Sequence, residues 1–246
     1  DITELNKIRK EQEKQANFDD LTGLPNRRMF YTKLKGAIEQ SSSSGLPMAL
    51  MLLDLDRFKE INDKLGHVQG DILLVEVAKR ISGCVRKTDT VARLGGDEFT
   101  IILTDIKDVL SIERIAKNIL ESLARSFDLL NEKVFVTGSL GITQFPRDTL
   151  DIDDLILNAD QAMYGAKKLG SNIVNHFTPA LREATQTRLA LISDIRDGLS
   201  DKQFKIHYQP IIEMATGKIM KAEALTRWRH PERGIVSPIE FIPVAE

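Results

Sequence analysis

The chain has 246 residues, a formal net charge of −2 and 42% hydrophobic residues. That length holds one large domain or two smaller ones, and the apolar fraction is enough for an ordinary core, which excludes a disordered tail. The near-neutral charge lacks the concentrated positive field that binding a nucleic-acid polymer requires, while leaving room for a local phosphate pocket.

The single cysteine, Cys84, excludes an internal disulfide and fits a reducing compartment. On a helix it reads as a small apolar residue. No run is long enough to cross a bilayer, and no signal peptide opens the chain. The first residue is Asp1 rather than Met, so the chain reads as a cytoplasmic piece of a longer protein. The remainder has room for a membrane tether and an upstream sensory domain.

In chain order, residues 4–17 form a polar helix with Leu5 and Ile8 on one face, continued by Gln12 and Gln15. A weak two-stranded seam and a solvated linker helix fit this stretch equally well. "DDLTGLPNRRMF" (19–30) is a turn, followed by a helix to about Gln40 and a loop over "SSSSG" (41–45). "MALMLLDLD" (48–56) is a buried central strand ending in acids. "RFKEIND" lies on a short helix closed by Gly66. Residues 69–86 are helical, with an apolar stripe of Ile72, Leu73, Val75, Val77, Ile81 and Val85. "TVARL" and "FTIIL" are strands of a hairpin joined through Gly-Gly. A helix over 108–125, a strand over 133–143, a helix over 152–169 and a strand over 172–177 follow. The order gives an α+β domain with a central mixed sheet flanked by helices, ending near residue 178. A second pattern then begins: a helix over 180–200, strands over 204–212 and 218–228 joined through Thr216-Gly217, and a loop at "HPERG".

"RLGGDEF" (93–99) carries the sharpest chemical signal. Gly95 and Gly96 let the backbone take φ > 0 and let a ligand approach without meeting a Cβ. Asp97 and Glu98 follow at once. If the strand ending at Asp54 and Asp56 lies beside this hairpin, its acids share one small region with those of the turn and repel unless a cation holds them. Mg²⁺ suits a few carboxylates plus phosphate oxygens. Taken alone, a solvated Gly-Gly-Asp turn explains the residues as well.

"NDKLGHVQGD" (62–71) sets Asn62 and Asp71 either side of Gly66 and Gly70. One carboxylate can accept both guanine donors, N1–H and N2–H, a pair that adenine lacks. Asp71 equally suits a helix N-terminus through the dipole. His67 reads as a packed or capping histidine, and Lys59 and Lys167 read as phosphate ligands or solvated lysines.

With "DLDRFKEINDKLGHVQGD", "DDLTGLPNRR" and "ADQAMYGAKKLGSN" around it, "RLGGDEF" resembles the GGDEF family of diguanylate cyclases, over about residues 17–177. The resemblance implies a palm-like fold similar to nucleotide cyclases and the joining of two GTP into cyclic di-GMP with release of pyrophosphate. By position, Asp54, the Leu55 carbonyl, Asp97 and Glu98 would hold two Mg²⁺ per site, with Mn²⁺ as a substitute. Asp97, Glu98 and Lys59 would be catalytic. Asn62, His67, Asp71, Gly95, Gly96 and Lys167 would bind GTP, and a homodimer would be needed for turnover. Ser171 departs from the Arg that the family often has after the glycine of "KxxG". "RKTD" (86–89) resembles the family's inhibitory product site, with Arg86 and Asp89 gripping cyclic di-GMP; as bare residues they are a surface pair of little worth.

"HYQPI" and "EALTRWRHP" resemble the start of an EAL domain, a cyclic di-GMP phosphodiesterase on a TIM-like barrel. There Gln209 would lie near substrate, Glu223 would bind metal and Arg227 would meet phosphate. Such a barrel needs about 250 residues, so the segment 179–246 is an incomplete start that cannot hydrolyse anything.

Overall fold

The computed structural model describes residues 15–130 and 132–245. The helix expected over 4–17 therefore lies outside the described residues, except for 15–17, which are helical. The chain divides into two compact units, one ending at Arg182 and one beginning at Glu183.

The first unit is built on a five-stranded sheet. Its strands are β1 (Met48–Leu55), β2 (Thr90–Gly95), β3 (Glu98–Leu103), β6 (Gly138–Phe145) and β7 (Val174–His176), in the order β2-β3-β1-β6-β7. β1 is antiparallel to both neighbours and β6 is parallel to β7, so the sheet is mixed. A separate small hairpin joins β4 (Phe127–Leu129) to β5 (Glu132–Val134).

β1 reads as an unbroken apolar run because both its faces are covered. Ala49, Met51, Leu53 and Leu55 enter one core, with α2 (Phe58–Leu65), α3 (His67–Cys84) and α4 (Leu110–Leu123). Met48, Leu50 and Leu52 enter a second core, with α1 (Arg27–Ser44) and α5 (Ile152–Leu169). Each fully buried Leu or Met side chain contributes about 1.5–3 kcal/mol. Asp54 continues the even-numbered face, on the side of α1 and α5.

Several local expectations are corrected. α1 runs through Ser44 rather than stopping at Gln40. The Ser42 hydroxyl donates back to the Ile38 carbonyl at 2.8 Å, and the Gly45 N–H closes the helix on the Ser41 carbonyl at 2.9 Å. Serines thus satisfy themselves on the last turn instead of forming a loop. In α3 the buried stripe is Leu73, Leu74, Val77, Ala78 and Ile81, whereas Ile72 is 48% exposed and Val85 follows the helix. The strand expected over 133–143 is broken at 135–137. There the Thr137 carbonyl accepts the Asp56 N–H at 2.9 Å and its hydroxyl donates to the Asp56 carboxylate at 2.7 Å.

In the second unit, α6 (Pro179–Ser200), whose first turn belongs to the first unit, continues into a sheet of order β10-β9-β8. Its strands are β8 (Phe204–Ile212), β9 (Ile219–His230) and β10 (Gly234–Val236), followed by α7 (Pro238–Ala245). β10 and α7 were not expected, and "HPERG" is the turn between β9 and β10. The core is small: Leu191, Trp228, Val236 and Phe241. Trp228 stacks on Phe204 at 5.0 Å between ring centroids and donates its Nε1–H to Gln203 at 3.1 Å. Three strands form no closed barrel.

Candidate active site

The hairpin turn lies at the carboxyl end of β1. Asp54 stands directly opposite Glu98 in the β1–β3 register. Gly95 has φ 148° and Gly96 φ 53°, and at neither would a Cβ meet any atom within 4 Å. The backbone is open to an incoming group, and the left-handed conformation is one that side-chain-bearing residues adopt at a cost. From α5, Lys167 Nζ reaches Asp54 Oδ1 at 2.7 Å. Burial pushes the Asp54 carboxyl above its ordinary value. The Lys167 hydrogen bond and charge pull it down, and the negative charges of Asp97 and Glu98 raise it further. Asp160, also on α5, is likewise raised by burial and lowered by Lys167. One lysine therefore faces an excess of acids.

Arg93 braces this turn. Its Nε and Nη2 donate to the Gly96 carbonyl at 3.0 and 2.7 Å, and Nη1 donates to both Asp19 oxygens at 2.9 and 3.1 Å. Asp19 also accepts the Thr22 N–H at 2.8 Å and the Thr22 hydroxyl at 2.5 Å. Burial raises the Asp19 carboxyl, but the Thr22 and Arg93 hydrogen bonds outweigh it and hold it below its ordinary value. The turn over 19–26 is thereby fastened to the glycine turn. Sequence reasoning named neither Arg93 nor Asp19 as a site residue. The available signals were an Arg two residues before the Gly-Gly pair and an Asp in the upstream turn, with nothing local to connect them.

Asn62 lies on α2 against Gly70 of α3, and Asp71 is the next residue of α3. Asn62 Oδ1 is buried and accepts no hydrogen bond. A buried acceptor without a donor is costly and calls for a partner. Asp71 is exposed and lines a recess of about 540 Å³ with Leu21, Val68, Ile72, Val75 and Phe127. His67, the first residue of α3, and Lys59, in the first turn of α2, are both exposed.

The profile described as "Diguanylate cyclase, GGDEF domain" matches residues 16–173, and that of the EAL domain matches residues 192–246. The chain belongs to the GGDEF family. It is 37% identical over 244 residues, 99% of its length, to the bifunctional diguanylate cyclase/cyclic di-GMP phosphodiesterase MucR of Pseudomonas aeruginosa, of which it spans 36%. The solved GGDEF domain of TpbB, also called YfiN, from the same organism is 38% identical with a TM-score of 0.66, covering 69% of this chain and 99% of that one. The coiled coil and GGDEF domain of DgcB from Caulobacter crescentus, solved in complex with c-di-GMP, is 26% identical with a TM-score of 0.65, covering 71% and 93%.

Within the GGDEF domain, Asp56 is a buried carboxylate that accepts the Thr137 and Ser139 hydroxyls, each at 2.7 Å, and the Asn172 N–H at 3.1 Å. It ties the end of β1 to the segment after Lys167, where Ser171 and Asn172 both have positive φ, 63° and 54°. Leu55, the proposed carbonyl ligand, is buried and pairs with Gly138 of β6.

Arg86 and Asp89 lie apart from this group. They line a recess of about 140 Å³ with Lys107, Ser111 and Arg114. Asp89 accepts the Arg86 N–H at 3.0 Å and the Thr104 N–H at 3.3 Å, so backbone amides already engage its carboxylate. In the second unit, Gln209 stands opposite Glu223, and Arg227 opposite Lys205. Glu223 is exposed and Arg227 half-buried.

GGDEF cyclases generally use Mg²⁺. Among the described residues, no three His, Cys, Asp or Glu side chains are gathered into a cage for an ion. Asp54 and the turn acids nevertheless fit Mg²⁺, which takes one or two carboxylates and completes its shell with water and substrate phosphate. All their donor atoms are oxygen, and the raised Asp54 carboxyl sits where a cation would relieve repulsion. No described helix is long and apolar enough to cross a membrane.

Proposed function

We propose that the chain is a diguanylate cyclase that condenses two GTP into cyclic di-GMP and two pyrophosphates. Its cyclase domain spans residues 17–178, the linker helix 1–16 and the start of an EAL domain 179–246. The supporting observation is the juxtaposition of Asp54 with Glu98 beside the open Gly95-Gly96 backbone, with Lys167 at hand for phosphate.

Asp54, the Leu55 carbonyl, Asp97 and Glu98 would hold Mg²⁺, two ions per site. When bound, these stabilise charge on the attacking and leaving oxygens. Glu98 or Asp97 takes the proton of the ribose 3′-OH. That oxygen bonds to the α-phosphorus of the other GTP, the bond to the β-phosphate oxygen breaks, and pyrophosphate leaves. Lys59 and Lys167 meet the phosphates, His67 lies near the nucleotide, and Asn62 and Asp71 read guanine. Each pocket holds one GTP, so two chains must face each other for both bonds to form. The helix expected from the sequence over 4–17 would suit that encounter, because a parallel seam raises the effective concentration of the attached domains. An upstream sensory domain would set it, and cyclic di-GMP at Arg86 and Asp89 would feed back on it.

A second reading, a GTP-binding module that regulates an attached EAL phosphodiesterase, is favoured by the EAL match and by Ser171 in place of the arginine. Incubation with GTP and Mg²⁺ separates the two. The cyclase reading expects cyclic di-GMP, and it expects Asp54→Ala or Glu98→Ala to lower turnover at least about 100-fold, the scale of losing one preorganised charge-stabilising group, with the melting temperature preserved. GTP binding without product would support the regulatory module, and undiminished synthesis in either variant would refute the site.

A further inference from the structure

Gly70 lies inside α3 with ordinary helical backbone, where glycine is disfavoured relative to alanine. Its lack of a side chain is used by α2. A Cβ at Gly70 would overlap Asn62 Oδ1 and stand 3.0 Å from Asn62 Cγ and 3.3 Å from Phe58 Cζ. The three nearest atoms are all side-chain atoms of α2, so the obstructed group is the Asn62 carboxamide, backed by Phe58, which is only 9% exposed. The amide therefore fills the recess that the glycine leaves, with Oδ1 buried against α3 and unpaired. Among the described residues, Asn62 Nδ2 makes no hydrogen bond either. The next residue after Gly70 is Asp71, so one position adjoins both proposed base-reading side chains.

We propose that Gly70 is the specificity-determining position of the nucleotide pocket: its missing Cβ seats the Asn62 carboxamide and fixes how that amide is presented to the base. Gly70 touches no substrate and acts through Asn62, which makes it a positioning residue. The inference rests on the guanine-binding reading of Asn62 and Asp71. It adds that base selectivity depends on a helix–helix approach as well as on the polar groups. Alanine at 70 would displace the carboxamide from its recess while improving the intrinsic helix propensity of α3.

A four-protein cycle tests this: the unmodified chain, Gly70→Ala, Asn62→Ala and the double variant. Calorimetry gives GTP and ATP affinity, and thermal unfolding is measured without nucleotide. Gly70→Ala is expected to weaken GTP about tenfold or more while leaving ATP unchanged, so the GTP:ATP preference shrinks. In the Asn62→Ala background, the same substitution is expected to change neither affinity and to leave the melting temperature equal or higher. In the unmodified background it should lower it. The nucleotide-free arm keeps two failures distinct. If the unmodified chain binds no GTP, the guanine reading falls and the specificity role with it, while an Asn62-dependent loss of melting temperature would still establish the steric coupling. Unchanged GTP:ATP preference in Gly70→Ala, or equal losses with and without Asn62, would overturn the proposal.

Discussion

The two sheets of this chain both carry family motifs, but they differ in what covers them. In the five-stranded sheet, seven of the eight β1 residues are buried, and the strand delivers Asp54 from beneath two cores. In the three-stranded sheet, β8 is exposed along all but its first residue, and only Trp228 of β9 is fully buried. Gln209 stands opposite Glu223 there, and both residues are exposed. Register alone thus brings motif residues together. Burial at the end of β1 adds a constraint that register does not, and it is the largest cause raising the Asp54 carboxyl above its ordinary value.

The contrast can be broken most directly in the cores. Leu53, fully buried in the first unit, should cost about 2–5 kcal/mol as Leu53→Ala, read from a shifted urea midpoint. A loss as small as that of a surface change would mean that β1 is not the keystone of its sheet. Next in size is Arg93→Ala, which removes charge-assisted hydrogen bonds to Asp19 and Gly96. It should cost about 1.5–3 kcal/mol of stability and slow cyclic di-GMP synthesis, because the glycine turn loses its brace. Full activity in a stable Arg93→Ala protein would show that the turn holds its shape unaided.

A smaller effect is expected with pH. The Asp19 carboxyl is depressed in the folded chain, so ionised Asp19 stabilises the fold above the ordinary carboxyl value. That contribution should fade as pH falls through the lower, folded-state value. The difference in melting temperature between the unmodified chain and Asp19→Asn should therefore be largest near neutrality and close below pH 4 or so. A difference that grows on acidification would reverse the assigned sign. Least of all, Ile206→Ala on β8, 59% exposed, should change stability by no more than about 0.5 kcal/mol. A core-sized loss there would erase the distinction between the two sheets.

Much of this was legible before folding was considered. The near-continuous apolar run in 48–56 read as a buried central strand, and β1 is covered on both faces. The helix expected over 152–169 coincides with α5, which Asp151 caps by accepting the Asp153 and Asp154 amides. Gly95 and Gly96 marked the turn because their backbone requirement is local. The departures, such as serines continuing α1 and the break before β6, arose where side-chain hydroxyls found partners that propensity does not foresee, the Ile38 carbonyl for Ser42 and the Asp56 carboxylate for Thr137.

The sequence by itself determined which residues alternate along a strand, which glycines stand in left-handed turns and which motifs follow in order, since these depend on neighbours a few positions away. Only the tertiary structure decided that Glu98 faces Asp54, that Lys167 reaches the same carboxylate, that Arg93 holds Asp19 across 74 residues, and that Asn62 rests on Gly70. Each of those contacts joins two elements whose approach is set by how their apolar faces pack, and that distance is not written in either segment alone.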